Sequence, residues 1–75
     1  MKLQVGNVIE IFGWVMLNKL EDGCKYRVSR IKKIYGEDVY IFTKARGKKE
    51  VVGHYVDSVD IMINPHNNNR IEIIS

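Results

Sequence analysis

Few side chains of this 75-residue chain could serve as a nucleophile, a general base or a metal ligand. Cys24 stands between Gly23 and Lys25, and the adjacent cation favours its thiolate. Nucleophilic catalysis also needs a positioned base, and the histidines are His54 and His66. His54 falls inside an apolar run, where a partly buried, hydrogen-bonded ring is expected. His66 sits in a polar run. One cysteine and two histidines without characteristic spacing make neither a catalytic dyad nor a zinc site. Asp57 and Asp60 lie three positions apart; Asp57 is expected to cap a helical turn rather than to form a carboxylate pair. The glycines are isolated and form no phosphate-cradling motif. No catalytic residue, metal ligand or cofactor is assigned, and the chain is not expected to be an enzyme.

The charge pattern carries more information. Nine of the twelve basic residues fall between Lys25 and Lys49, against two acids, Glu37 and Asp38, a local balance of +7. The remainder holds three basic and seven acidic groups, a balance of −4, so the net +3 hides a strong polarity. Uneven charge of this kind bears on partners and association rates rather than on fold.

If Val39 and Ile41 point into the core, the two-residue period of a strand puts Tyr40, Phe42 and Lys44 on the outer face. Arg27, Arg30 and Lys32 of the preceding strand then lie beside them, and Arg46, Lys48 and Lys49 follow in the next turn. Aromatic rings flanked by Lys and Arg suit nucleic acid, because the cations neutralise phosphates while ring faces stack on unpaired bases. Two other readings stay open. Tyr40 and Phe42 are core residues, Val39 and Ile41 are covered by the C-terminal strand, and the lysines protect strand edges. Alternatively, the basic face meets an acidic protein surface.

The elements that must position these residues are mostly strands. Residues 8–17 (VIEIFGWVML) are β-branched and aromatic with Gly13 at a bend. Glu21-Asp22-Gly23 is a turn signal. Residues 26–34 alternate and then slip phase at Ser29-Arg30, which suggests a bulge or a short helical turn. A turn at 35–38 leads into the clearest strand, 38–44 (DVYIFTK). A turn at 46–49 leads into 50–56 (EVVGHYV). One helical turn is expected at 57–59, an extended run at 60–63, a polar loop around Pro65 at 64–69, and a last strand at 70–74 (RIEII). No ten-residue window is convincingly amphipathic at the helical period.

This order resembles that of the SH3-like small β-barrels: an opening strand VGNVIEI, a longer polar loop, two hairpins, one helical turn over 56–59 and a short strand at 60–63. The resemblance spans about residues 5–63 and implies an all-β fold, a small barrel of about five strands with one helical turn. The 70–74 segment is then a C-terminal strand extension of one domain covering residues 1–75. SH3 barrels that dock polyproline do so on exposed aromatics. Here the 18–23 loop holds only Glu21 and Asp22, so Trp14, beside Phe12 on the first strand, reads as a core residue. The Lys, Ile and Asn bias also resembles small phage or mobile-element proteins.

With a single cysteine no intrachain disulfide forms, and a reducing, cytoplasmic setting is expected. The apolar stretch 8–17 is half a membrane span and contains Glu10. The expected function is a non-enzymatic binding module that engages nucleic acid with low sequence specificity through a basic hairpin face. Its site comprises Arg27, Arg30, Lys32, Tyr40, Phe42, Lys44, Arg46, Lys48 and Lys49. The alternatives are a small phage-type protein that binds and inhibits a host protein, and an assembly subunit that oligomerises through its terminal strand.

Overall fold

The computed structural model describes residues 2–63 and 68–75. Five strands and one short helix follow in the order β1 (Val8–Phe12), β2 (Lys25–Ile34), β3 (Glu37–Lys44), β4 (Glu50–Tyr55), α1 (Val56–Met62) and β5 (Arg70–Ile73). All pairings are antiparallel. The strands form one mostly-β sheet in the order β4-β3-β2-β1-β5, open between its edges β4 and β5.

Turn chemistry explains the central hairpin. Tyr35 and Gly36, with φ of 51° and 80°, link β2 to β3 in two residues. Positive φ at both positions matches the right-handed twist of the flanking strands. The phase slip at Ser29-Arg30 is a β-bulge: the β2–β3 register shifts between Val28 and Arg30. The bulge lets Tyr26 and Val28 face the core before it and Ile31 after it.

Three expectations are corrected. The opening strand ends at Phe12 rather than running to Leu17, because Gly13 turns out of the sheet at φ 73° and packs against Asn69. The run 60–63 is not extended, since α1 continues to Met62. Val56 and Val59 are buried at helical spacing, with Met62 partly buried against the same core, and this burial outweighs the β propensity of the segment. Asp57 does not cap that helix: the N-cap position is Tyr55 and carries no side-chain cap bond. The terminal strand pairs with β1, Ile9 opposite Ile73 and Ile11 opposite Ile71. Most of the expected 64–69 loop, including Pro65 and His66, lies outside the described residues.

The core forms on one face of the sheet, from Leu3, Ile9, Ile11, Tyr26, Val28, Tyr40, Phe42 and Ile71, closed by Val15, Leu20 and the helix residues Val56 and Val59. Each such apolar side chain contributes roughly 1.5–3 kcal/mol by leaving water. Two tyrosine hydroxyls in this core bind backbone. Tyr40 Oη accepts from Leu3 N at 3.1 Å and donates to Asp60 Oδ1 at 3.3 Å. Tyr26 Oη accepts from Glu21 N at 3.0 Å and donates to the Lys19 carbonyl at 3.4 Å. Burial pushes both phenols above their ordinary pKa. Tyr40 thus fastens the N-terminal arm, and Tyr26 fastens the long 13–24 loop.

Candidate functional site

The position of β3 decides the fate of the expected interface. Tyr40 and Phe42 are both 0% exposed and belong to the main core, so neither offers a stacking face. The expectation that they point outward is corrected. The opposite face of β3 is buried as well, with Val39 and Ile41 nearly covered. The C-terminal strand does not cover them, since β5 lies beyond β1 in the same sheet. Arg30 stands opposite Ile41, Lys32 opposite Val39, Tyr55 opposite Val39 and Gly53 opposite Ile41. A Cβ at Gly53 would meet Ile41 Cδ1 at 2.8 Å and Val39 Cγ1 at 3.0 Å. The missing side chain is the slot into which those two residues lean.

The two arginines are already engaged. Arg30 Nε and Nη2 donate to Glu50 Oε2 and Oε1 at 2.8 and 3.0 Å, a bidentate pair that bridges β2 and β4 across β3. Its hydrogen bonds raise the Arg30 pKa and hold the Glu50 carboxyl below its ordinary value. Arg27 donates to the carbonyls of Ala45 and Gly47 at 3.2 and 3.3 Å. Its guanidinium therefore shapes the 45–49 turn from beneath. Both arginines build the surface.

The remaining cations divide between two ends of the sheet. Lys32 of β2 faces out opposite Val39, and Lys44 ends β3 five residues beyond Val39, about 17 Å away at strand rise. At the Lys44 end, Lys44, Arg46, Lys48 and Lys49 are all exposed. Lys19, Lys44, Lys48 and Lys49 line one cleft of about 420 Å³ together with Gly47, Glu50 and Val51. The other end is acidic. Glu37, Asp38, Asp57 and Asp60 line a cleft of about 490 Å³ with Tyr55, Val56 and Ser58. Net charge thus changes sign along β3, acidic at its start, where Lys32 stands opposite Val39 and Lys33 lies 3.8 Å from Asp38, and basic at its finish, and such a separation orients an approaching charged partner.

Two contributors lie outside the expected set. Lys19 reaches the basic cleft from the 13–24 loop, where it adopts φ 67°. The second is Trp14, which is 72% exposed rather than core. Trp14 N donates to Asn69 Oδ1 at 3.0 Å and Gly13 N to Asp22 Oδ1 at 2.8 Å. The backbone is held while the indole stays in water. The placement of both residues depends on contacts distant in sequence, and no local signal reports it.

The remaining chemistry-bearing residues are dispersed. Cys24 is a free, half-buried thiol whose Sγ lies 3.7 Å from Glu21 Oε2. His54 is half-buried, with Nε2 2.8 Å from the Asn18 carbonyl. The carbonyl can only accept, so the ring donates from Nε2. Burial lowers its pKa. Among the described residues no group of three His, Cys, Asp or Glu could hold a metal ion, and no helix is long and apolar enough to cross a membrane. No protein-family model, curated protein or solved structure matches the chain.

Proposed function

We propose that the protein is a non-enzymatic binding module that engages nucleic-acid phosphates through its basic end. The observation that carries this reading is the convergence of Lys19, Lys44, Lys48 and Lys49 on one cleft, with Arg46 exposed in the same turn. Lysines grouped in this way displace condensed counterions without reading base edges, so binding is tight at low salt and weakly sequence-specific. Arg27, Arg30, Tyr40 and Phe42 leave the contact set and become its scaffold. Lys32 sits at the other end of β3 and also leaves it.

The strand order supports the SH3-like small-barrel reading in a revised form. A long loop after β1, three consecutive hairpin-linked strands, a short helix and a last strand returning to β1 follow the expected order. In this form β5 takes the place assigned to the 60–63 run, and the 70–74 segment is no extension. Occurrence as a small phage or mobile-element protein in a cytoplasmic setting remains part of the proposal and rests on composition.

Titration of labelled single- and double-stranded oligonucleotides by fluorescence anisotropy tests the reading. Binding that weakens with salt, and that Lys48→Glu with Lys49→Glu abolishes in a folded variant, supports it. Absence of binding to either oligonucleotide at low salt ends it.

A second reading has one observation of its own. β5 is a sheet edge, and Ile73 at its end and Ile74 just beyond are about half exposed. Pairing of that edge with a second copy would cover them, and the mass in solution would show a dimer.

A further inference from the structure

Trp14 and Met16 are 72% and 77% exposed, while Val15 between them and Leu20 beyond are buried. The 14–18 segment is therefore anchored from below and turned outward at alternate residues. Trp14, Val15, Met16, Leu17 and Asn18 line a shallow groove of about 380 Å³. Lys19, the next residue, lines the basic cleft. The Asn18-Lys19 step that links their linings in the chain is fastened twice. His54 Nε2 holds the Asn18 carbonyl, and Tyr26 Oη holds the Lys19 carbonyl.

From this juxtaposition we infer that the 14–18 groove takes unpaired bases of a single-stranded nucleic acid whose phosphates lie in the basic cleft, with one base stacked on Trp14. The inference rests on the nucleic-acid reading of the basic end and deepens it. A single strand carries apolar ring faces beside a continuous anionic backbone, which matches the Trp14, Val15, Met16 and Leu17 side chains of one depression followed in the chain by Lys19 of the lysine-lined one. In a duplex the base faces are stacked on each other, so it can use only the lysines. Of the nearby acids Glu50 is paired with Arg30, while Asp22 accepts from Gly13 N and Glu21 lies against Cys24 Sγ, both keeping their charge. Exposed Trp and Met held by a fastened backbone present contact area with little ordering left to do on binding.

The chain contains one tryptophan, so indole emission reports this groove alone. Oligo(dT) and a duplex of the same length are titrated while Trp emission and oligonucleotide anisotropy are recorded together. The same anisotropy titrations are run on Trp14→Ala, whose folding is checked by circular dichroism. The inference predicts that oligo(dT) quenches the emission and the duplex does not. It also predicts that Trp14→Ala weakens oligo(dT) binding roughly 5- to 150-fold, the range for loss of one stacked base, with the salt slope and duplex affinity unchanged. Oligonucleotide binding without quenching, and without any effect of Trp14→Ala, overturns the inference and leaves the basic-end reading intact. Failure of both oligonucleotides to bind overturns the two together. A blue shift of Trp emission on concentrating the protein alone, matched by a rise in mass, assigns the groove to a second copy and overturns the inference as well.

Discussion

Arg30 and Glu50 face each other from β2 and β4 across the full width of β3, joined by hydrogen bonds of 2.8 and 3.0 Å. The pair converts a candidate phosphate ligand into a clasp over Ile41 and Thr43, the residues opposite them in the register. It also places the Glu50 carboxylate on the rim of the basic cleft.

Glu50→Gln therefore tightens oligonucleotide binding, because it removes a negative charge from the rim and releases the Arg30 guanidinium. Arg30→Gln leaves the salt slope of binding unchanged, whereas loss of a lysine that contacts phosphate lowers it by about one. Anisotropy titrations of the two variants at several salt concentrations check both statements. An Arg30→Gln slope that falls as far as a lysine variant's would place Arg30 on the ligand after all.

Tyr40→Phe destabilises the fold by about 1–3 kcal/mol, since the buried Leu3 N–H loses its acceptor. Chemical denaturation measures this directly. A stability equal to the parent's would show that the Tyr40 hydroxyl does not hold the N-terminal arm.

Gly13→Ala is costly for two reasons. The residue sits at φ 73°, and an added Cβ would meet the Asn68 carbonyl oxygen at 2.9 Å and collide with Asn69 Oδ1. The left-handed conformation alone costs about 1–2 kcal/mol for an L-residue with a side chain. The expected loss exceeds that figure and comes with a shift in Trp emission, because Asn69 also holds Trp14 N. A variant as stable as the parent would contradict the Gly13–Asn69 packing.

Stability falls on mild acidification because of His54. Its folded pKa lies below the ordinary 6.5, chiefly through desolvation. Above that value the ring is neutral in both states. As pH falls through it, the unfolded chain takes up the proton first, so stability declines until the folded ring is protonated as well. Glu50 acts in a separate window below 4.5, where its lowered folded pKa makes stability fall with further acidification. Denaturation at pH 7.5, 6.5 and 5.5 should show the decline in the parent and a flatter profile in His54→Gln. A parent that gains stability toward pH 5.5 would contradict the assignment.

The strands with clear local chemistry were legible in the sequence. Turn residues set the 35–36 and 45–49 connections, and the phase slip at Ser29 marked a real bulge. The burial of β3 on both faces was misread, although residues 39–43 contain no charge to mark an outer side; a strand without polar alternation reads more safely as doubly covered. The helix was underestimated because it is short and β-branched, and Val56, Val59 and Met62 show their spacing only once the core they meet is known. In the site, the lysines of the 44–49 turn were found from local charge. The roles of Arg27 and Arg30 were not, because their partners Ala45, Gly47 and Glu50 lie 18 to 20 residues away. Lys19 and Trp14 were missed for the same reason, their loop being fastened by Tyr26, His54 and Asn69.

The most direct test of the basic-end account is the dependence of oligonucleotide affinity on salt in the parent and in Lys48→Gln with Lys49→Gln. The account predicts a steep log–log decline in the parent, shallower by roughly 1.5 to 2 in the double variant as two phosphate contacts are lost. Parallel lines of equal slope, or no measurable affinity at the lowest salt, would contradict it.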